Sequence, residues 1–196
     1  SARGRGAGWN KIRSEATSLS FRGHMPAPME QRDRDDRSGY EGIEVGSTPG
    51  GIKVIVESVP HVRTVALSVS AIVGSRDERK GESGVSHFLE HMLFRGTRTR
   101  DYREVNERIE ASGGYLNAYT THEHTCFYAF TIDESLAIAE DLLSDVFLNP
   151  RMDPALVDLE RNIVKQEIGM HMNDPATHLR TRMAEAMFKG HPLARS

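Results

Sequence analysis

In the segment GVSHFLEHMLFRGT, residues 84–97, two histidines stand four apart with a glutamate immediately before the second. On an α-helix, residues four apart differ by about 40° around the axis, and residues three apart by about 60° in the other sense. His87, Glu90 and His91 therefore share one face. Two imidazoles one turn apart suit Zn²⁺, each presenting a nitrogen at roughly 2.0–2.1 Å, and the carboxylate between them can reach a water without ligating the ion. The competing reading is a core helix. Phe88, Leu89, Met92, Leu93 and Phe94 are ordinary core material, and two surface histidines beside a solvated glutamate need no metal.

A catalytic zinc needs a third protein ligand and an open position. The donors best placed in the chain lie in LERNIVKQEIGMH, residues 159–171, where Glu160, Glu167 and His171 follow spacings of seven and four and share one helical face. Such a face also suits solvent, but the flanking Leu159, Ile163, Val164 and Ile168 predict a helix buried along one side. Spacing leaves the choice among the three donors open.

These side chains need elements to carry them. GIKVIVESV (51–59) and TVALSVSAIVG (64–74) read as adjacent strands joined by a turn, and the polar SRDERKGESG as a loop leading into the histidine helix. DYREVNERIEASGG predicts a helix stopped by its glycines, followed by strands YLNAYT and TCFYAFTI. Helical patterns then run through DESLAIAEDLLSDVFL, DPALVDLERNIVKQEIGMHM and DPATHLRTRMAEAMFKG, the last two opening with an Asp N-cap before proline. The order β-β-α-α-β-β-α-α-α predicts an α+β layer, a mostly antiparallel sheet with helices covering one face. One domain is expected over residues 40–196. Because the chain stops at GHPLARS after a helix, with no closing strand, that domain is expected to be C-terminally incomplete.

The chain has 196 residues, 38% hydrophobic and 27% charged, an ordinary globular composition. No run approaches the roughly 18 apolar residues of a membrane span, and the start lacks the apolar region of a secretory signal, so no membrane insertion is expected. Net charge is -3 with no basic stripe interleaved with aromatics, which argues against a nucleic-acid partner. Residues 1–38 hold eight Lys/Arg against five Asp/Glu, leaving the remainder at -6. The segment 1–39, rich in Arg, Ser, Gly and Pro, is expected to be disordered, as a transit-peptide remnant or a tag-like extension. Cys126, the single cysteine, reads as a buried inert thiol, which fits a reducing compartment.

Four segments in order, GSRDE, GVSHFLEHMLFRGT, GGYLNAYTTHEHTCFYAF and LERNIVKQEIGMHMNDP, resemble the pitrilysin, insulysin and mitochondrial processing peptidase group of zinc metallopeptidases, over about residues 43–192. Their local wording is most similar to the bacterial and mitochondrial processing peptidase branch. The resemblance implies His87 and His91 as zinc ligands and Glu167 as the third, some six dozen residues after the second histidine. It implies Glu160 as an accessory glutamate one heptad earlier, and gives His171 no role beyond that of a neighbour. Glu90 is implied to take a proton from the attacking water and return it to the leaving amine. Asn117 and Ala118 are implied to face the substrate, on a strand whose open edge could capture an extended peptide by main-chain hydrogen bonds; an internal strand paired on both sides is the alternative. His122 and His124 read as loop or strand residues outside the ligand set.

The resemblance further implies a zinc-dependent endopeptidase acting on unstructured peptides or presequences, in the bacterial cytoplasm or the mitochondrial matrix. Members of the group enclose the substrate between two similar halves, in one chain or two subunits. Weak or no hydrolysis is therefore expected without a homologous second half or partner subunit. The alternative is a non-catalytic scaffold subunit of the same fold, against which the presence of His87, Glu90, His91 and Glu167 together argues.

Overall fold

The computed structural model describes residues 42–194, so the expected unstructured segment over 1–39 lies outside the described residues. The chain divides into two compact units, one ending at Arg63 and one beginning at Thr64.

The described part of the first unit is a hairpin of β1 (Ile43–Ser47) and β2 (Lys53–Glu57), paired antiparallel. The turn between them is closed by Thr48 N–H donating to the Ile52 carbonyl and Gly51 N–H donating to the Thr48 carbonyl. This corrects the expected pairing of the strands at 51–59 and 64–74, since β2 pairs with an upstream strand that the sequence reading missed. The signal was available: Thr-Pro-Gly-Gly between two β-rich runs is a hairpin turn.

In the second unit, β3 (Thr64–Ala71), β4 (Tyr115–Thr120) and β5 (Thr125–Ile132) form an antiparallel sheet of order β3-β5-β4. Alternation along the strands puts Leu67, Val69, Leu116, Ala118, Phe127 and Ala129 on one face. On that face they pack against Leu93, Val105, Ile109, Ala139, Leu142, Leu143 and Val146. These belong to α1 (Val85–Leu93), α2 (Tyr102–Ala111) and α3 (Leu136–Leu148). The expected α+β layer with helices on one face is what forms, and Cys126 is buried in β5 as expected.

The local signals act as anticipated. Gly113, at φ 76°, ends α2 in a left-handed conformation. Asp153 and Asp174 accept backbone N–H groups ahead of the prolines that open the turn before α4 (Val157–Asn173) and α5 (Pro175–Met187). Where α1 ends, the chain is fastened to the end of α3: Arg98 N–H donates to the Asn149 carbonyl, and Arg151 N–H to that of Gly96. Asp145 anchors the same joint, accepting from Arg100 at 2.6 Å, Thr99 at 3.1 Å and Asn149 at 3.0 Å.

Two details depart from expectation. Leu89 is 44% exposed, and only Met92 and Leu93 of α1 are buried. On α4 the buried residue is Glu160, while Leu159 and Ile168 are 51% and 54% exposed. The helix turns its carboxylate-bearing face toward His91 on α1 and Arg95 just past the end of α1.

Candidate metal centre

α1 and α4 lie side by side and supply the centre. Helical spacing brings His87 and His91 edge to face, their ring centroids 4.7 Å apart with planes at 87°. Glu167 approaches from α4, its Oε2 3.3 Å from His91 Nε2 and 3.8 Å from His87 Nε2. One donor atom from each of the three residues falls within 4.8 Å of the others, and no second such group occurs among the described residues. Ligand distances near 2.1 Å around a tetrahedral ion separate donors by about 3.4 Å. Two imidazoles and a carboxylate at this spacing fit zinc.

Glu160 sits behind the centre. Fully buried, it accepts from His91 Nδ1 at 3.3 Å through Oε2 and pairs with Arg95 through Oε1. A carboxylate on the far nitrogen favours the tautomer protonated at Nδ1, which would leave Nε2 available to a metal. Arg95 in turn lies over the Tyr102 ring, 5.2 Å from its centroid. The sequence reading marked Glu160 but missed Arg95, one turn beyond His91, whose charge balances a carboxylate that burial would otherwise penalise.

Glu90 faces the same cavity of about 300 Å³, which is also lined by Phe94, Asn117, Ala118 and the three candidate ligands. Its Oε2 accepts the Thr120 hydroxyl hydrogen, so the last residue of β4 holds the candidate base. Thr120 was missed as well, although its place in YLNAYT, in line with Ala118 along the strand, would have put it on the helix-facing side.

β4 is an edge strand among the described residues, paired only with β5. The Asn117 side-chain oxygen accepts the Ala118 N–H at 2.8 Å, so that N–H is turned away from β5. By alternation the backbone groups of Leu116 and Thr120 also point to the open edge. Asn117 and Ala118 thus line the cavity from a strand whose outer edge meets no other strand among the described residues.

His171 lies on the exposed last turn of α4, outside the donor group. His122 and His124 belong to the β4–β5 turn and are likewise outside it.

Comparison with known proteins agrees with this architecture. A protein from Mycobacterium leprae named an uncharacterized zinc protease is 45% identical over 154 residues, covering 79% of this chain and 35% of its own. Proteins similarly named from Streptomyces coelicolor and Bacillus subtilis are each 38% identical, covering 80% and 73% of this chain. The chain thus spans about a third of the length of these relatives, 34% and 35% for the latter two. A crystal structure of a protease from Helicobacter pylori superimposes with a TM-score of 0.73 at 24% identity, over 78% of this chain and 37% of that one, and shares its fold. The family model described as Insulinase (Peptidase family M16) matches residues 53–196, and the chain belongs to that family.

Proposed function

We propose that this chain carries the zinc centre of a metalloendopeptidase, with His87, His91 and Glu167 as ligands and Glu90 as general base. The supporting observation is that the three donors lie within 4.8 Å of one another, Glu167 Oε2 being 3.3 Å and 3.8 Å from the Nε2 atoms of His91 and His87, with Glu90 on the same cavity. Relatives named zinc proteases favour the same ion. Bound there, zinc supplies Lewis acidity toward water and the scissile carbonyl.

The chain's own groups perform the remaining steps. Glu160 presents His91 in the ligating tautomer. The outward N–H and C=O groups of β4 take an unstructured peptide as an added strand, Asn117 giving up its hold on the Ala118 N–H to the incoming backbone. Thr120 occupies one oxygen of Glu90, leaving the other to accept a proton from the attacking water and deliver it to the leaving amine. Reading backbone rather than side chains suits a processing peptidase. A second half or partner subunit, beyond the third of the relatives' length represented here, completes the substrate enclosure.

Metal analysis with a quenched-peptide assay tests this reading. The expected result is one zinc per chain, chelator-sensitive, and hydrolysis once the completing half is present. Glu90→Gln should keep the zinc and lose turnover. A chain without zinc, or a Glu90→Gln protein with substantial hydrolysis, overturns the assignment, while zinc uptake without hydrolysis in the completed protein identifies a scaffold.

A further inference from the structure

The metal reading leaves open what holds His87. His91 is gripped through its far nitrogen by Glu160, but the contacts of the His87 ring among the described residues are with His91 and Glu167, members of the centre itself. Its placement therefore rests on the backbone of α1. That helix has only nine residues, and short helices are marginal unless their ends are tied down. Its N-cap is Gly84, which has no side chain to cap with.

Glu78 supplies the tie from six residues upstream. Its Oε2 accepts the Gly84 N–H and its Oε1 the Ser86 N–H, both at 2.8 Å. Only 7% of Glu78 is exposed, although it lies in the polar stretch read from the sequence as a loop. A carboxylate taking the N-cap amide and a first-turn amide is held by charge-assisted hydrogen bonds and by the positive end of the helix dipole.

The carboxylate itself is fixed. Ser75 and Arg76 donate backbone N–H groups to the Thr121 and His122 carbonyls. At Gly74 an added Cβ would lie 2.4 Å from the Thr121 carbonyl oxygen, so only glycine permits this approach. The turn that follows β4 is thereby connected through residues 74–78 to the start of α1.

We infer that Glu78 is a positioning residue for the metal centre, a two-oxygen clamp that sets the first turn of α1 and thereby places His87 opposite Glu167. The inference rests on the zinc reading above. It predicts that Glu78→Ala, in the full chain, raises the zinc dissociation constant roughly ten- to hundredfold. Glu78→Gln, which keeps one acceptor oxygen but turns an amide NH₂ toward the other N–H, should fall in between.

Two measurements decide it. Zinc affinity is read by competition with a chromophoric chelator. Hydrogen exchange of amides 86–88 is read in the metal-free protein, where Glu78→Ala should speed exchange about tenfold or more. Asp174→Ala, which removes a comparable cap from α5, serves as the control and should change neither. The inference is overturned if Glu78→Ala binds zinc within about twofold of the parent, if amides 86–88 keep their protection, or if Asp174→Ala weakens zinc equally. Should Glu78→Ala fail to fold, Glu78→Gln is judged on the same criteria. A parent chain that binds no zinc overturns the metal reading, and exchange in the metal-free protein then decides the clamp alone.

Discussion

At the residue scale, the proposed centre would depend on side chains set behind its candidate ligands. Glu160 shows why: it is fully buried, and its two oxygens serve His91 and Arg95 at once. Removing it leaves Arg95 without its carboxylate and His91 free to rotate. Glu160→Ala should weaken zinc binding roughly ten- to hundredfold, measured by chelator competition, and lower the unfolding midpoint. Thr120 acts on the other side of the cavity. Replacing it with Val removes the hydroxyl from Glu90 but keeps the shape, so zinc content should stay constant while hydrolysis by the completed enzyme falls about tenfold. Parent-like kcat for Thr120→Val would remove Thr120 from the mechanism.

At the element scale, α3 and the joint it makes with the end of α1 hold the layer together. Leu142 on α3 is completely buried in the main cluster, so Leu142→Ala should cost about 2–5 kcal/mol in denaturant unfolding. Asp145 connects acidity to the same joint. Burial by itself would raise its carboxyl, but hydrogen bonds from Thr97, Asn149 and Thr99 and the charge of Arg100 outweigh it and hold the group below its ordinary value of 3.8. Asp174 is lowered too, by the Thr177 hydroxyl and amide that it caps. A carboxylate lowered on folding contributes stability above its unfolded pKa, and that contribution disappears as pH falls through the folded value. Unfolding measured between about pH 5 and about pH 3 should show stability declining, with a shallower decline in Asp145→Asn.

On the scale of the whole molecule, metal binding and the share of its relatives' length that the chain spans become the governing quantities. A ligand that binds only the folded state at a hundredfold excess over its dissociation constant adds about 2.7 kcal/mol. Zinc should therefore raise the thermal midpoint and a chelator should reverse the gain; a midpoint indifferent to both would contradict the proposed centre. Hydrolysis should be weak or absent in this chain and appear in the longer protein, since the chain spans 35% of its Mycobacterium leprae relative. On α4, Ile163 and Val164 are half-buried while Leu159 and Ile168 are exposed among the described residues. The apolar spacing was visible in the sequence, but that the carboxylate-bearing face turns toward His91 and Arg95 was not.

Local rules, by contrast, were legible without a fold. Periodicity placed β4 and β5 at YLNAYT and TCFYAFTI, Asp-Pro marked the starts of two helical segments, and the spacing of His87, Glu90 and His91 put them on one face. Each depends on residues within one or two turns of one another, where backbone geometry alone relates them. Tertiary structure decided what crosses between elements: Thr120 reaching Glu90, Arg95 pairing with Glu160, and Glu167, which helical spacing left level with Glu160 and His171 and only the resemblance singled out, meeting the imidazoles. Glu78 belongs to this second group, because a carboxylate in a polar loop shows its purpose only when the chain folds back and the uncapped amides of α1 arrive beside it.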